Sequence, residues 1–176
     1  MLSDHFAQAY ITTLTPVPSE AQFRQIAEIE ARACPDDGRL KFGHEEEYAV
    51  DKLNVFRGYY WYAAVMGCDE RVVAYALFDC STDDAYLEDL AVDPPAQNMG
   101  LAQRLLEYAV DDVVLKGATG VWTKVWPGNK TALRVCEKRG FERTDEQPRD
   151  EGRGVVQRLR IKNPRRNAWM PCMGIF

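Results

Sequence analysis

The stretch Val92-Asp93-Pro94-Pro95-Ala96-Gln97-Asn98-Met99-Gly100-Leu101-Ala102 decides how this chain is read. Residues 85–92 (AYLEDLAV) lead into it as a strand, and apolar residues at helical spacing lead out of it. Leu101, Leu105, Leu106, Ala109, Val110, Val113 and Val114 form that stripe, which Gly117 and Gly120 end. A strand that passes through a tight turn straight into a helix leaves the first helical N–H groups without intrahelical acceptors. Together with the positive end of the helix dipole, they suit an anion such as a pyrophosphate. Gly100 permits close approach, Ala102 leaves the next N–H uncovered, and Gln97 offers a neutral side-chain donor.

Outward from this turn, strand and helix signals alternate with no internal repeat or low-complexity tract. Residues 10–14 (YITTL) are β-prone and stop at Pro16 and Pro18. Ser19-Glu20-Ala21-Gln22 is a capping-box pattern opening a helix to about Ala33, with Phe23, Ile26, Ala27 and Glu30 at helical spacing. Cys34-Pro35-Asp36-Asp37-Gly38 reads as a loop, and residues 44–53 as a second, acidic helix. Residues 59–66 (YYWYAAVM) and 71–80 (RVVAYALFDC) are the arms of a hairpin about Gly67-Cys68-Asp69-Glu70. After the central helix come a strand at 121–125 (VWTKV), a helix at 129–139 closed by Gly140, and strands at 141–144 and 155–161. The order β-α-α-β-β-β-α-β-α-β-β describes an α+β domain built around a β-α-β crossover.

At 176 residues the chain suits one domain that buries a core without metals or disulfides. Its hydrophobic fraction of 46% and charged fraction of 28% are ordinary for a globular protein. No apolar run approaches the roughly 18 residues that span a bilayer. The opening MLSDHFAQAY lacks the basic and apolar regions of a signal peptide. Five cysteines, odd in number and without C-x-x-C spacing, point to reduced thiols and a cytoplasmic setting. Two histidines, His5 and His44, leave little material for a metal centre or a His-based triad, so no metal is expected. The net charge of −5 argues against general nucleic-acid binding. Its distribution is uneven: residues 1–93 carry 7 Lys and Arg against 18 Asp and Glu, and residues 94–176 carry 15 against 9. Such a division sets a cationic ligand against one half and an anionic ligand against the other. Two oppositely charged solvated surfaces are the plainer reading.

The hexapeptide from Gln97 to Ala102 gains weight from its neighbours. Val92-x-Pro94 precedes it at a strand end, and Asn129-Lys130-Thr131-Ala132-Leu133-Arg134-Val135-Cys136-Glu137-Lys138-Arg139-Gly140-Phe141 follows after one strand. In this arrangement the sequence resembles the GNAT superfamily of N-acetyltransferases. The family pattern runs V-x-P, a short gap, [RQ]-x-x-G-x-[GA], a strand, then N-x-x-A-x-x-x-Y-x-x-x-G-F. The resemblance spans residues 59–161 by motif and reaches back to Tyr10 by element order. It implies a single α+β domain over residues 1–162, a mixed and mostly antiparallel central sheet flanked by helices; residues 163–176, with no clear period and two prolines, read as a loosely packed tail. Residues 85–90 (AYLEDL) are also similar to the diamine (spermidine/spermine) N-acetyltransferases of that superfamily.

The resemblance further implies acetyl-CoA as co-substrate and direct transfer of acetyl to a primary amine, a small cation such as a polyamine first and a protein amine second. A non-catalytic acyl-CoA-binding module on the same fold is the rival from another class. The amides of Gly100, Leu101 and Ala102, with Gln97, Asn98 and Met99 beside them, would hold the coenzyme A pyrophosphate. The backbone of Leu90, Ala91 and Val92 would pair with the pantetheine arm as an added strand, and Asn129 would reach the same arm. Family members part their two central strands at a bulge, and they often dimerise, so a homodimer belongs to the expectation.

An amine of pKa about 10.4 is nearly all ammonium at neutral pH and must lose a proton before it attacks. Strand alternation puts Tyr86, Glu88, Leu90 and Val92 on one face and Leu87, Asp89 and Ala91 on the other. Glu88 is preferred as base, because the similar diamine enzymes carry an acid there. Backbone N–H groups near Leu90 to Val92 would meet the oxyanion. At the acid that finishes the reaction the chain departs from the pattern, since Cys136 stands where the family has tyrosine. Its thiol, water, or no acid at all are the alternatives. Asp79, Asp83 and Asp84 with Glu45, Glu46 and Glu47 are candidates to receive a cationic acceptor, and residues 59–62 could supply aromatic walls. Arg104, Lys130 and Arg134 are candidates for the adenosine phosphates.

Overall fold

The capping box is formed as written. The Ser19 amide donates to Gln22 Oε1 at 2.8 Å, and the Gln22 amide donates to Ser19 Oγ at 3.3 Å. They open helix α1, Glu20–Ala33, in a computed structural model that describes residues 9–14, 17–33, 55–56, 58–67 and 70–144, and the backbone of 155–160. The expected acidic helix at 44–53, Glu45 to Glu47 and the tail 163–176 lie outside the described residues.

The strands are β1 (Tyr10–Leu14), β2 (Tyr60–Met66), β3 (Arg71–Asp79), β4 (Asp84–Val92), β5 (Gly120–Val125), β6 (Glu142–Arg143) and β7 (Val155–Arg160). Helix α2 (Leu101–Leu115) connects β4 to β5, and α3 (Lys130–Arg139) follows β5. Among the described residues one seven-stranded sheet results, in the order β1-β2-β3-β4-β5-β7-β6. Its neighbours are antiparallel except β4 and β5, which are parallel and need the α2 crossover. This is the mixed, mostly antiparallel sheet that the sequence predicts.

Helices cover both faces, which is why β2 and β3 read as unbroken apolar runs. Trp61, Ala63, Tyr75 and Leu77 turn toward α1, where Phe23, Ile26 and Ile29 meet them. Tyr62, Ala64, Ala76 and Phe78 turn the other way, onto Leu101, Leu105 and Val113 of α2 and Cys136 of α3. Trp61 and Tyr62 are therefore core on opposite faces rather than walls of an acceptor pocket.

Two expectations on strand geometry are corrected. The last short strand spans only Glu142–Arg143, because Phe141 turns inward and is buried. More important, β4 does not alternate regularly. Leu77 pairs with Asp89, yet Phe78 pairs with Leu87, so Glu88 is an extra residue bulged out of the ladder. Partners across a ladder share a face, so Leu87 and Leu90 both face α2, whereas Tyr86, Asp89 and Ala91 face α1.

Where β4 and β5 begin, Asp84 is gripped by the Thr119 hydroxyl at 2.6 Å and by Trp122 Nε1 at 2.7 Å. A Cβ on Gly120 would stand 2.8 Å from Asp84 Oδ1, closer than van der Waals contact allows. Gly120→Ala is therefore expected to destabilise the fold by about 1–3 kcal/mol, read as a lower urea midpoint at unchanged m-value.

Candidate active site

Four residue pairs join β4 to β5, from Asp84 with Gly120 to Leu87 with Thr123. The Thr123 hydroxyl donates to the Leu87 carbonyl at 3.0 Å and marks the last point of contact. Beyond it β4 stays with β3 as far as Val92, and β5 stays with β7 as far as Val125. Among the described residues no ladder joins the two strands past Leu87 and Thr123, so the sheet parts there. The edge carried by residues 88–92 faces this gap. Leu90, Ala91 and Val92, expected to receive the pantetheine arm, are on it.

The turn that follows is closed by its own backbone. The Ala96 amide donates to the Asp93 carbonyl at 2.7 Å, and the Gln97 amide to the Pro94 carbonyl at 3.2 Å. Gln97 Nε2 donates to the Val92 carbonyl at 3.1 Å, so this side chain braces the turn instead of pointing only at a ligand. Asp93 is almost fully buried and binds Arg32 Nε at 3.0 Å and Arg71 Nη2 at 3.5 Å. These two contacts tie the turn to α1 and to the start of β3. Nothing in the family pattern pointed to Asp93.

Asn98 and Gly100 both have positive φ, 63° and 74°. Gly100 is the N-cap of α2 and contributes no side chain. The first intrahelical bond runs from the Arg104 amide to the Gly100 carbonyl at 3.0 Å. The amides of Leu101, Ala102 and Gln103 precede that bond and find no helical acceptor. Leu101 is buried and anchors the helix, whereas Asn98 and Gly100 are exposed and Met99 and Ala102 half-buried. A Cβ placed on Gly100 would meet nothing within 4 Å. An exposed glycine N-cap followed by N–H groups without helical acceptors suits an anion such as a pyrophosphate.

Asn129 caps α3, its Oδ1 accepting from the Ala132 amide at 3.0 Å. Cys136 is 3% exposed and packed in the core on the α2 side. Burial first, then Glu137, pushes its thiol from an ordinary 9.0 up to about 11. Glu88 is half-buried at the bulge and Asp89 half-buried beside it. Trp122 shares the α1 face with Tyr86, and alternation puts Lys124 of β5 on that face across the gap from Asp89. Lys124 carried no signal in the sequence.

The charged candidates fare unevenly. Asp79 Oδ1 accepts from the Ser81 amide at 2.8 Å, and Asp84 is bound as above, so both serve the turn before β4. Asp83 is exposed. Arg104 Nη2 donates to the Ala9 carbonyl at 2.8 Å, while Lys130 and Arg134 lie exposed on α3.

The chain whose sheet parts in this way between two parallel strands is an N-acetyltransferase that uses acetyl-CoA. It belongs to the acetyltransferase (GNAT) family, whose profile matches residues 23–141. It is 30% identical over 132 residues to a [ribosomal protein bS18]-alanine N-acetyltransferase of Salmonella typhimurium, covering 74% of this chain and 78% of that protein. Its fold matches the crystal structure of the ribosomal-protein-S18-alanine N-acetyltransferase from Escherichia coli with a TM-score of 0.67 at 22% identity, over 93% of this chain and 100% of that one. PaiA N-acetyltransferase from Thermoplasma acidophilum, solved in complex with coenzyme A, matches with a TM-score of 0.66 at 15% identity, over 86% and 99%. No helix among the described residues is long and apolar enough to cross a membrane.

Proposed function

We propose that this enzyme acetylates the α-amine of a protein or peptide N-terminus, with acetyl-CoA lying in the gap between β4 and β5. The observation that carries this reading is the likeness to an S18-alanine N-acetyltransferase over three quarters of both chains. A small cationic acceptor such as a polyamine rests on the acids nominated in the sequence, and two of them, Asp79 and Asp84, are committed to neighbouring groups. A thiol-release assay decides between the two. Peptides with a free α-amine should turn over, whereas spermidine, aminoglycosides and α-blocked lysine peptides should not; the reverse order would overturn the choice of acceptor.

In the proposed geometry the pyrophosphate sits on the amides of Gly100, Leu101 and Ala102, and the pantetheine arm pairs with residues 90–92 as an extra strand. Asn129 meets the arm with its amide NH2, since its oxygen is occupied by the cap. Helices α2 and α3 occupy the cofactor face, so the acceptor approaches from the α1 face. Glu88 takes one proton from the ammonium, the freed nitrogen attacks the thioester carbon, and backbone N–H groups of residues 90–92 hold the oxyanion. The C–S bond then breaks, sulfur leaves as a thiolate, and the nitrogen gives its second proton to water in the gap, leaving a neutral amide.

That thiolate needs a proton. A thiol held at about 11 would give one to a thiolate of the ordinary reference pKa, about 8.5, only against an uphill step of roughly two to three powers of ten. We therefore assign this proton to water in the gap and Cys136 to the core. Cys136→Ala is expected to keep kcat within about threefold, since the transition state loses no partner. A second readout follows from linkage. The thiol ionises near 9.0 in the unfolded chain and near 11 when folded, so its contribution to stability is complete below pH 9 and lost between pH 9 and 11. Cys136→Ala should flatten that part of the stability profile. A collapse of kcat in this variant would return Cys136 to the mechanism.

A further inference from the structure

Tyr75 lies in the middle of β3, wholly buried, and its hydroxyl touches two acids. Glu30 Oε1 of α1 is 2.6 Å away, and Asp89 Oδ2 of β4 is also 2.6 Å away. The phenol O–H is the donor available to both carboxyls. Burial, then the charges of Asp89 and Glu30, hold the Tyr75 phenol well above its ordinary range. Such a link is short, desolvated and directional.

Its position in β4 gives it a consequence. Upstream of the bulge, Leu87 is fixed by its pairing with Phe78 and by the Thr123 hydroxyl on its carbonyl. Downstream, Asp89 is fixed by Tyr75. Glu88 is the one residue between these two pins. A slip of one residue would carry Asp89 to the α2 face, among Leu87, Ala76 and Leu101, and strip the acid of its phenol.

We propose that Asp89, fastened through the Tyr75 hydroxyl to Glu30, is the positioning residue that keeps the bulge at Glu88 and so sets the aim of Glu88 and the opening of the gap. This rests on the reading of Glu88 as proton acceptor. The bulge lies at the point where the sheet parts, so losing it restores a regular strand and turns Glu88 with the slipped ladder. The carboxylate of Asp89 carries no proton in the reaction on this assignment; its hydrogen bond is what counts.

The test compares Tyr75→Phe, Asp89→Ala and Asp89→Asn in the full chain, against a peptide acceptor. Tyr75→Phe and Asp89→Ala are expected to lower kcat by about 10- to 100-fold through misplacement, with KM for the peptide and the calorimetric affinity for coenzyme A within about threefold of wild type. Asp89→Asn keeps a partner for the phenol and should retain most of kcat. Amide hydrogen exchange at residues 88–90 should quicken in the first two variants and not in the third. If Asp89→Asn is as slow as Asp89→Ala, the carboxylate itself moves the proton and the positioning role is wrong. Unchanged exchange at residues 88–90 in Asp89→Ala overturns the pin as well. Should Tyr75→Phe fail to fold, the two Asp89 variants carry the decision. Full activity of Glu88→Gln would remove Glu88 as base while leaving the exchange measurement to judge the bulge by itself.

Discussion

Gly100→Val is expected to weaken coenzyme A binding by about 100-fold or more in a calorimetric titration, the largest effect of any single substitution in the cofactor site. Two costs add. At φ 74° and ψ 6° the N-cap of α2 is in the left-handed region, which a β-branched residue enters only with strain of about 1–2 kcal/mol or more. The new side chain also occupies open space at the N-cap of α2, beside the amides proposed to hold the pyrophosphate. A backbone that relaxes to relieve the strain swings those amides away, so both responses act in the same direction. The fold itself should persist, because nothing lies within 4 Å of the added Cβ and Leu101 anchors the helix from below. Affinity within threefold of wild type, in a variant with an unaltered urea midpoint, would mean that the pyrophosphate is held elsewhere.

Glu88→Gln is expected to act on the other half of the reaction. It should lower kcat at neutral pH by about 10²- to 10⁴-fold, the ordinary contribution of a positioned base, and leave coenzyme A affinity unchanged. The amide is isosteric and keeps the bulge, so the loss isolates proton transfer from geometry. Raising the pH supplies more free amine from solution, and the variant should recover part of its deficit as pH rises toward the amine's own pKa. A variant as fast as wild type across pH 6 to 9 would take Glu88 out of the mechanism. The contrast between the two substitutions, one lost in affinity and the other in turnover, is the signature of a site whose cofactor grip and chemistry lie on different elements.

The parts of this arrangement that were legible in the sequence are those encoded locally. The turn from Val92 to Ala102 announces itself because a strand, a left-handed glycine and an apolar stripe must follow each other in that order. The capping box at Ser19 and the closing Gly140 of α3, with φ 93°, are equally local. What failed depends on partners far along the chain. The bulge at Glu88 is a property of the register between β3 and β4, so a regular alternation put Glu88 with Leu90 and Tyr86 when the ladder does otherwise. Asp89 looked like the spare acid of a pair, since Tyr75 and Glu30 meet it only after the sheet and α1 have packed. Asp93 sat inside the quoted motif and still passed unremarked, because its partners Arg32 and Arg71 are 61 and 22 residues away. Gln97, expected as a donor at the turn, also satisfies the turn's own backbone, a bond that the sequence pattern does not show.

Among the described residues, four ladder pairs, the Thr123 hydroxyl and the Trp122 indole N–H on Asp84 fasten β4 to β5, all of them at one end. The sheet is thus two laminae, β1 to β4 and β5 with β7 and β6, stitched at one end and open at the other. In the proposed geometry a co-substrate along the open seam would stand in for the missing strand. Ligand present at a hundred times its dissociation constant adds about 2.7 kcal/mol to the folded state by mass action. A co-substrate bound there would raise the enzyme's urea midpoint with its concentration, free coenzyme A as well as acetyl-CoA.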